Sequence, residues 1–519
     1  MVDRTVPTVL SPMPGVYSPV WGLGVTTSIN ALVAASRADA LTLGVVVNAN
    51  SLFGLIGDDS TDNTAAFVAL IDALNITNYT YKIEPGNYRY NSTTFPRIIA
   101  IGGGIEGCGN NVTVLRDTAT SGYAWKVGND TGPVAAQEIC FRGLRFTPVN
   151  IKTSGAEIAN FGGSYRTRII DVAFSFCYQP IYFSYSNSPM VDRCSFLYVY
   201  GPAGIWGKAV SLTYQTNAIN ITNLQANNPW WNTPNPSQSK TRSNTTAYSQ
   251  YDYFVVNGHI WQVTTAGTTG TGTAQYVLPA LTANLQDAIT DGSAQVKWVS
   301  GSTTAWLLHD SYTYQMVAEK CQLVNGVHAA KMTDTLAAGD SFPIWLYLMR
   351  VECDRQYSNV VQLDAGRDFT AIGGWYASSL TASGIYEGSS AIGESIVMGS
   401  KLELNAKHGY QMDGASGRYT QIIGNRIGRN SELTSNTYNG VEVVANRAYF
   451  LVTNNIFGPT GTTTADSQHA AVNVNGATDT LFNVSDNIAH AQANGSTAAA
   501  AFLYGSAQSI SIRRDNIAD

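Results

Sequence analysis

The chain has 519 residues, of which only 13% are charged, with 48 glycines, 28 tyrosines and a net charge of −6. That length exceeds one ordinary core, and the glycine and tyrosine content suits many short strands and tight turns rather than a helical bundle. An acidic balance with no basic cluster excludes nucleic acid as a partner, and no run of 18 apolar residues is present for membrane insertion.

Residues 1–44 stand apart as a neck or attachment segment. Pro7, Pro12, Pro14 and Pro19 enforce an extended start, and Ser28 is placed to cap a short helix carrying Ile29, Leu32, Val33 and Leu41. One such helix buries little alone, so it packs either on the mouth of the following domain or against copies of itself.

Residues 45–227 open with Val45, Val46 and Val47, then an acidic stretch around Asp58, Asp59 and Asp62, then a helix predicted from Thr64 to Leu74. The free N–H groups of a first helical turn favour a carboxylate just ahead of it. Asp62 is therefore read as a helix-start residue rather than a catalytic or calcium ligand. The helix covers strand edges that would otherwise lie open. Short apolar runs then continue through Phe146, Phe174, Phe196 and Leu224.

Residues 228–305 change grammar. A linker rich in Asn, Pro and Trp leads to alternating strands on either side of Asn257-Gly258, a strong hairpin signal. Trp261 is expected in the core of this small β-module. Trp298 is either a second core residue or a platform on which a sugar stacks.

Residues 306–519 repeat one unit: a short alternating run, a turn of Gly, Asn and Asp, and another run. Aligned anchors at 353, 375, 402, 427, 456, 488 and 517 are separated by 22, 27, 25, 29, 32 and 29 residues. A period in that range marks stacked coils that bury an apolar face only against their neighbours. A parallel β-helix accommodates such units, with asparagine ladders at its corners. No cap follows the last coil, so a partner chain covering it, or a truncated chain, is expected. The six cysteines lack CxxC spacing and are read as buried free thiols.

Three stretches carry a family resemblance. Phe53 to Phe67 (FGLIGDDSTDNTAAF) resembles the "FGAxGDGxTDDTxAI" opening of pectate-lyase-like β-helix proteins, the form common in bacteriophage tailspikes. Ile83 to Tyr88 resembles their "LPPGTY" turn, and Gly102 to Gly109 their first coil. Asp59 and Asn63 depart from the usual Gly and Asp. The module at 248–300 is similar to carbohydrate-binding-like β-modules of phage tail and fibre proteins. The resemblance implies an all-β, right-handed single-stranded parallel β-helix with a short N-terminal segment and an inserted β-module. It also implies a homotrimer on a virion tail, attached through the N-terminal segment to the tail or another tail protein. It would bind and degrade a bacterial surface polysaccharide, capsule or O-antigen, with no metal or cofactor.

No serine elbow, P-loop or zinc spacing appears, which leaves outward carboxylates and aromatics. Hydrolysis of a glycosidic bond takes one acid and one base or nucleophile. In Val351-Glu352-Cys353-Asp354 the apolar residues point inward, so Glu352 and Asp354 face out, about 7 Å apart at the backbone. Aligning the repeats puts Asp354, Tyr376 and Glu403 in one column, with Arg350 and Lys401 flanking it. Glu352, Asp354 and Glu403 are thus the catalytic candidates. Tyr376, Trp375, Arg350, Lys401 and Trp298 are the substrate-binding ones. The competing reading makes these carboxylates ordinary surface ion pairs. Asp310, Asp364, Asp368, Glu387 and Glu394 are further carboxylates, and His309, His328 and His408 further bases. The rival functions are a β-eliminating lyase and a non-catalytic receptor-binding spike.

Overall fold

The computed structural model describes residues 45–129, 136–209, 211, 215–233, 235–278, 287–336, 341–413, 418–434, 437–444, 449–458, 468–475, 481–490, 502–504, 510–514 and 517–518. The neck segment at 1–44, where a helix capped by Ser28 is expected, lies outside them. Among them no helix is long and apolar enough to cross a membrane.

Through most of the chain each coil lays down three short strands, and each strand pairs in parallel with its counterparts one coil before and one coil after. The first ladder runs from Val46–Asn48 through Met316–Glu319 to Ile510–Arg514. The second, of 15 strands, runs from Asp58–Asp62 through Glu352–Asp354 to Ile517–Ala518. The third runs from Trp125–Val127 through His328–Met332 to Phe502–Tyr504. Two long strands, Val361–Ile372 and Ile385–Met398, pass through both the third and first ladders and join them into one sheet. This is the expected parallel β-helix.

The corner between first and second ladders explains the Gly, Asn and Asp punctuation. One residue there takes a left-handed conformation, and it is Gly373 (φ 65°), Gly399 (φ 60°), Gly424 (φ 64°), Asn454 (φ 57°) or Asp486 (φ 58°) in successive coils. Glycine adopts this shape freely, and Asn or Asp at modest cost. The next residue turns inward and stacks. Asn425, Asn455 and Asn487 form a ladder in which the Asn455 Oδ1 accepts from the Asn425 backbone N–H at 2.9 Å and side-chain amide at 3.0 Å. Asn487 serves Asn455 the same way. A second ladder, Asn405 to Asn430 to Gln468, lines the next corner.

The first coil is closed by the helix Thr64–Ile76, preceded by the short helix Ala49–Phe53. Phe67 drives its ring among Tyr88, Tyr90, Phe95 and Trp125, with centroids 5.3–6.4 Å away. Asp62 accepts from the Thr64 backbone N–H at 2.9 Å, the helix-start role expected of it.

The inserted module leaves the solenoid after Gln225–Asn227 in the second ladder and returns as Ala305–His309 in the third. It is a four-stranded antiparallel sheet, with Trp261 paired across to Trp298. Both rings are fully buried with Phe254 and Tyr276 in the module's own core. Trp298 is therefore not a sugar platform. A module this small needs both indoles for its interior. All six cysteines are free, but Cys108 is exposed and Cys140 half-buried, so the expectation of buried thiols fits only the other four.

Candidate active site

In the three-residue strands of the second face from Gln322–Val324 to Arg426–Gly428 the central residue points inward. Leu323, Cys353, Tyr376, Leu402 and Ile427 stack in register, all buried. Glu352 and Asp354 therefore do flank an inward cysteine and face out. The same register corrects the expected column. Tyr376 follows Cys353, not Asp354, and its hydroxyl is buried without a hydrogen-bond partner. The cause is Gly374, where a Cβ would lie 2.6 Å from the Tyr376 hydroxyl oxygen: the missing side chain leaves room for the ring inside. The anchors at 456 and 488 shift similarly, because Phe457 and Ala489 are the buried members of their strands.

Trp375, half-buried, takes the outward place between Glu352 and Lys401. Glu352 accepts from the Gln322 amide at 3.3 Å. Asp354 lies 3.6 Å from the Arg355 guanidinium, and Glu403 is 2.8 Å from that of Arg426. Arg350 occupies the left-handed corner before Glu352 and is exposed. The column thus holds Glu352, Trp375 and Lys401 together, while Asp354 and Glu403 each have a cation beside them.

The third face carries a second column, which the sequence reading did not single out. Trp206, Leu308, Lys331, Gln362, Tyr386, Gln411, Glu442 and Asn473 stand in register on eight successive coils. From Lys331 on, each sits between two inward residues, as in Val361-Gln362-Leu363 and Val441-Glu442-Val443. Two further carboxylates edge the column. Asp364 is 2.9 Å from the Lys331 ammonium and accepts from Gln362 at 2.6 Å. Asp413 accepts from Gln411 at 3.2 Å.

Tyr386 stands between these two carboxylates, and burial together with the negative charge of Asp413 raises its phenol above the usual range. Glu442 is 7% exposed, with its oxygens held by the Asn439 and Asn473 amides. Burial pushes its carboxyl up, the two amides pull it back, and Asp413 adds to the rise. Asp413 lies one coil before Glu442 and two residues further along, which places the two backbones about 8 Å apart on a parallel sheet. One carboxyl favoured as the acid beside one in a more polar setting is the division that glycosidic cleavage uses. The signal existed in the sequence: single polar residues between apolar ones at 331, 362, 411, 442 and 473, with Tyr386 between Ile385 and Glu387 as the exception. Aligning the repeats on their second strand alone hides it.

Of the remaining candidates, Asp310, Glu387 and the three histidines are interior, while Asp368 and Glu394 are half-buried. Asp310 is buried and accepts from Trp206, Ser311 and Thr335. Glu387 is buried and accepts from the Tyr410 hydroxyl at 2.5 Å. Asp368 accepts from the Glu394 backbone, and Glu394 from Gln421. His309, His328 and His408 are pushed down to about 4 by burial and stay neutral. Among the described residues no group of three or more His, Cys, Asp or Glu could hold a metal ion.

No family model and no curated protein sequence matches the chain. Among solved structures, it is similar to the A-module of a mannuronan C-5 epimerase from Azotobacter vinelandii, with 13% identity and a TM-score of 0.41 over 91% of this chain and 99% of that one. It is similar to tailspike protein 3 of bacteriophage CBA120, with 14% identity and a TM-score of 0.49 over 92% of this chain and 62% of that one. It is also similar to a surface adhesin of Streptococcus pneumoniae, with 10% identity and a TM-score of 0.43 over 86% of this chain and 90% of that one.

Proposed function

We propose that the chain is a polysaccharide depolymerase of the tailspike kind, a glycoside hydrolase that grips an extended glycan along its third face. The observation that carries this reading is the placement of Tyr386 and Glu442 in one outward column, two coils apart, with Asp413 at its edge on the coil between them. Glu442 protonates the departing glycosidic oxygen. Asp413 activates water on the opposite side of the sugar, the inverting arrangement that suits carboxyls separated by about 6.5–9.5 Å. Tyr386 supplies the face against which the ring rests, and Gln362, Gln411 and Asn473 meet sugar hydroxyls. In this reading Glu352, Trp375, Lys401 and Arg350 contact substrate on the neighbouring face, and Glu352 with Asp354 is the rival acid–base pair. The substrate is a bacterial surface polysaccharide, and the working form is a homotrimer on a virion tail.

The test is incubation with a panel of capsular and O-antigen polysaccharides, reading new reducing ends and ultraviolet absorbance. New ends without an unsaturated product support hydrolysis. A rise in absorbance identifies the lyase. Tight binding of a glycan that is never cut identifies a spike that only holds it.

A further inference from the structure

The first face carries its own concavity, nearer the start of the solenoid than the carboxylates above. One outward column there reads Thr80, Gly104, Cys140, Arg168, Met190 and Asn220. The floor is low because Gly104 has no side chain. A Cβ there would lie 2.1 Å from the Cys140 carbonyl oxygen, so nothing larger fits. Two hollows, of about 340 and 440 Å³, share Arg168 as a common wall. Five ladder steps from Thr80 to Asn220 span about 24 Å.

The arginines nearby differ in one respect. Arg166 is 3.3 Å from Glu138, Arg193 is 2.7 Å from Asp171, and Arg142 is 3.9 Å from the same Asp171. Arg168 has Cys140 and Met190 as its ladder neighbours and no carboxylate partner among the described residues. Burial keeps the Cys140 thiol protonated, so it does not repel an anion beside it.

We infer that this groove is a second glycan site, separate from the proposed cleavage site, in which Arg168 receives the carboxylate of an acidic sugar. The planar guanidinium fork matches a carboxylate in two parallel hydrogen bonds. Thr80 and Asn220, at the two ends, are placed for the hydroxyls of flanking sugars.

The experiment is calorimetric titration of the full chain with a hexameric uronate oligosaccharide, and with a neutral glucose hexamer as control. The uronate binds and the neutral hexamer binds at least tenfold more weakly. Arg168→Gln weakens uronate binding at least tenfold with unchanged melting, and Arg168→Lys restores part of it. Glu442→Gln leaves it unaltered, which separates this site from the proposed cleavage site. Equal binding of uronate by Arg168→Gln, equal binding of the neutral hexamer, or loss in Glu442→Gln instead would each overturn the inference.

Discussion

Glu442 is the residue on which the chemistry turns, and its environment sets a sign. A buried carboxyl with a neighbouring negative charge keeps its proton to higher pH than an exposed one. Activity should therefore fall on the alkaline side as Glu442 ionises. Asp413→Asn removes a negative neighbour, so the alkaline limb of the residual activity should move to lower pH. A limb that stays in place would disconnect the two groups. Glu442→Gln should cut turnover by about 10²–10⁴-fold, the usual worth of a positioned acid. The same change at Glu352 should cost far less. Kinetics of the four amide variants at Glu442, Asp413, Glu352 and Asp354, each with a melting curve, separates the two pairs. Tyr376→Phe should leave substrate affinity unchanged, because the ring faces the interior and its hydroxyl has no partner.

At the scale of the element, the corner ladders and the first coils make separate demands. Asn455→Ala would leave the Ile422 carbonyl and the Asn425 amide groups without their partner, all in a dry corner. Unsatisfied buried groups of this kind cost about 3 kcal/mol together, read as a lowered unfolding midpoint. Nearer the start, Lys152 is buried 2.7 Å from Asp117 and 3.0 Å from Glu157. Burial drives the Glu157 carboxyl up to about 7, Lys152 opposes the rise, and Asp117 adds to it. The unfolded value is near 4.5, so the folded chain binds the extra proton between the two values. This contribution is fully present below about pH 4.5 and is lost as pH rises through about 7, at most of order 3 kcal/mol. Glu157→Gln should flatten that part of the stability profile, measured by denaturant titration across the range. A variant as pH-dependent as the parent would remove Glu157 from the account.

The whole molecule was legible in the sequence to the extent that period and punctuation carry it. Spacing of apolar runs and the Gly, Asn and Asp corners gave the coil, and Asn257-Gly258 marked a hairpin in the insert. Faces were harder. Gly374 admitted Tyr376 to the interior and slid the column by one residue, which on a strand exchanges inside for outside. The Trp298 ring went to the module's core for a reason of size that composition alone does not display. The third-face column was hidden because its members share no residue type, only a position. The third-face column is the proposed glycan track. The direct measurement is a crystal or cryo-EM structure of the Glu442→Gln chain soaked with an oligosaccharide of a polymer it recognises. Sugar density is expected to run across the coils from Lys331 to Asn473, with a ring on Tyr386 and a glycosidic oxygen beside residue 442. Density lying instead over Glu352, Trp375 and Lys401, with the third face bare, would contradict it.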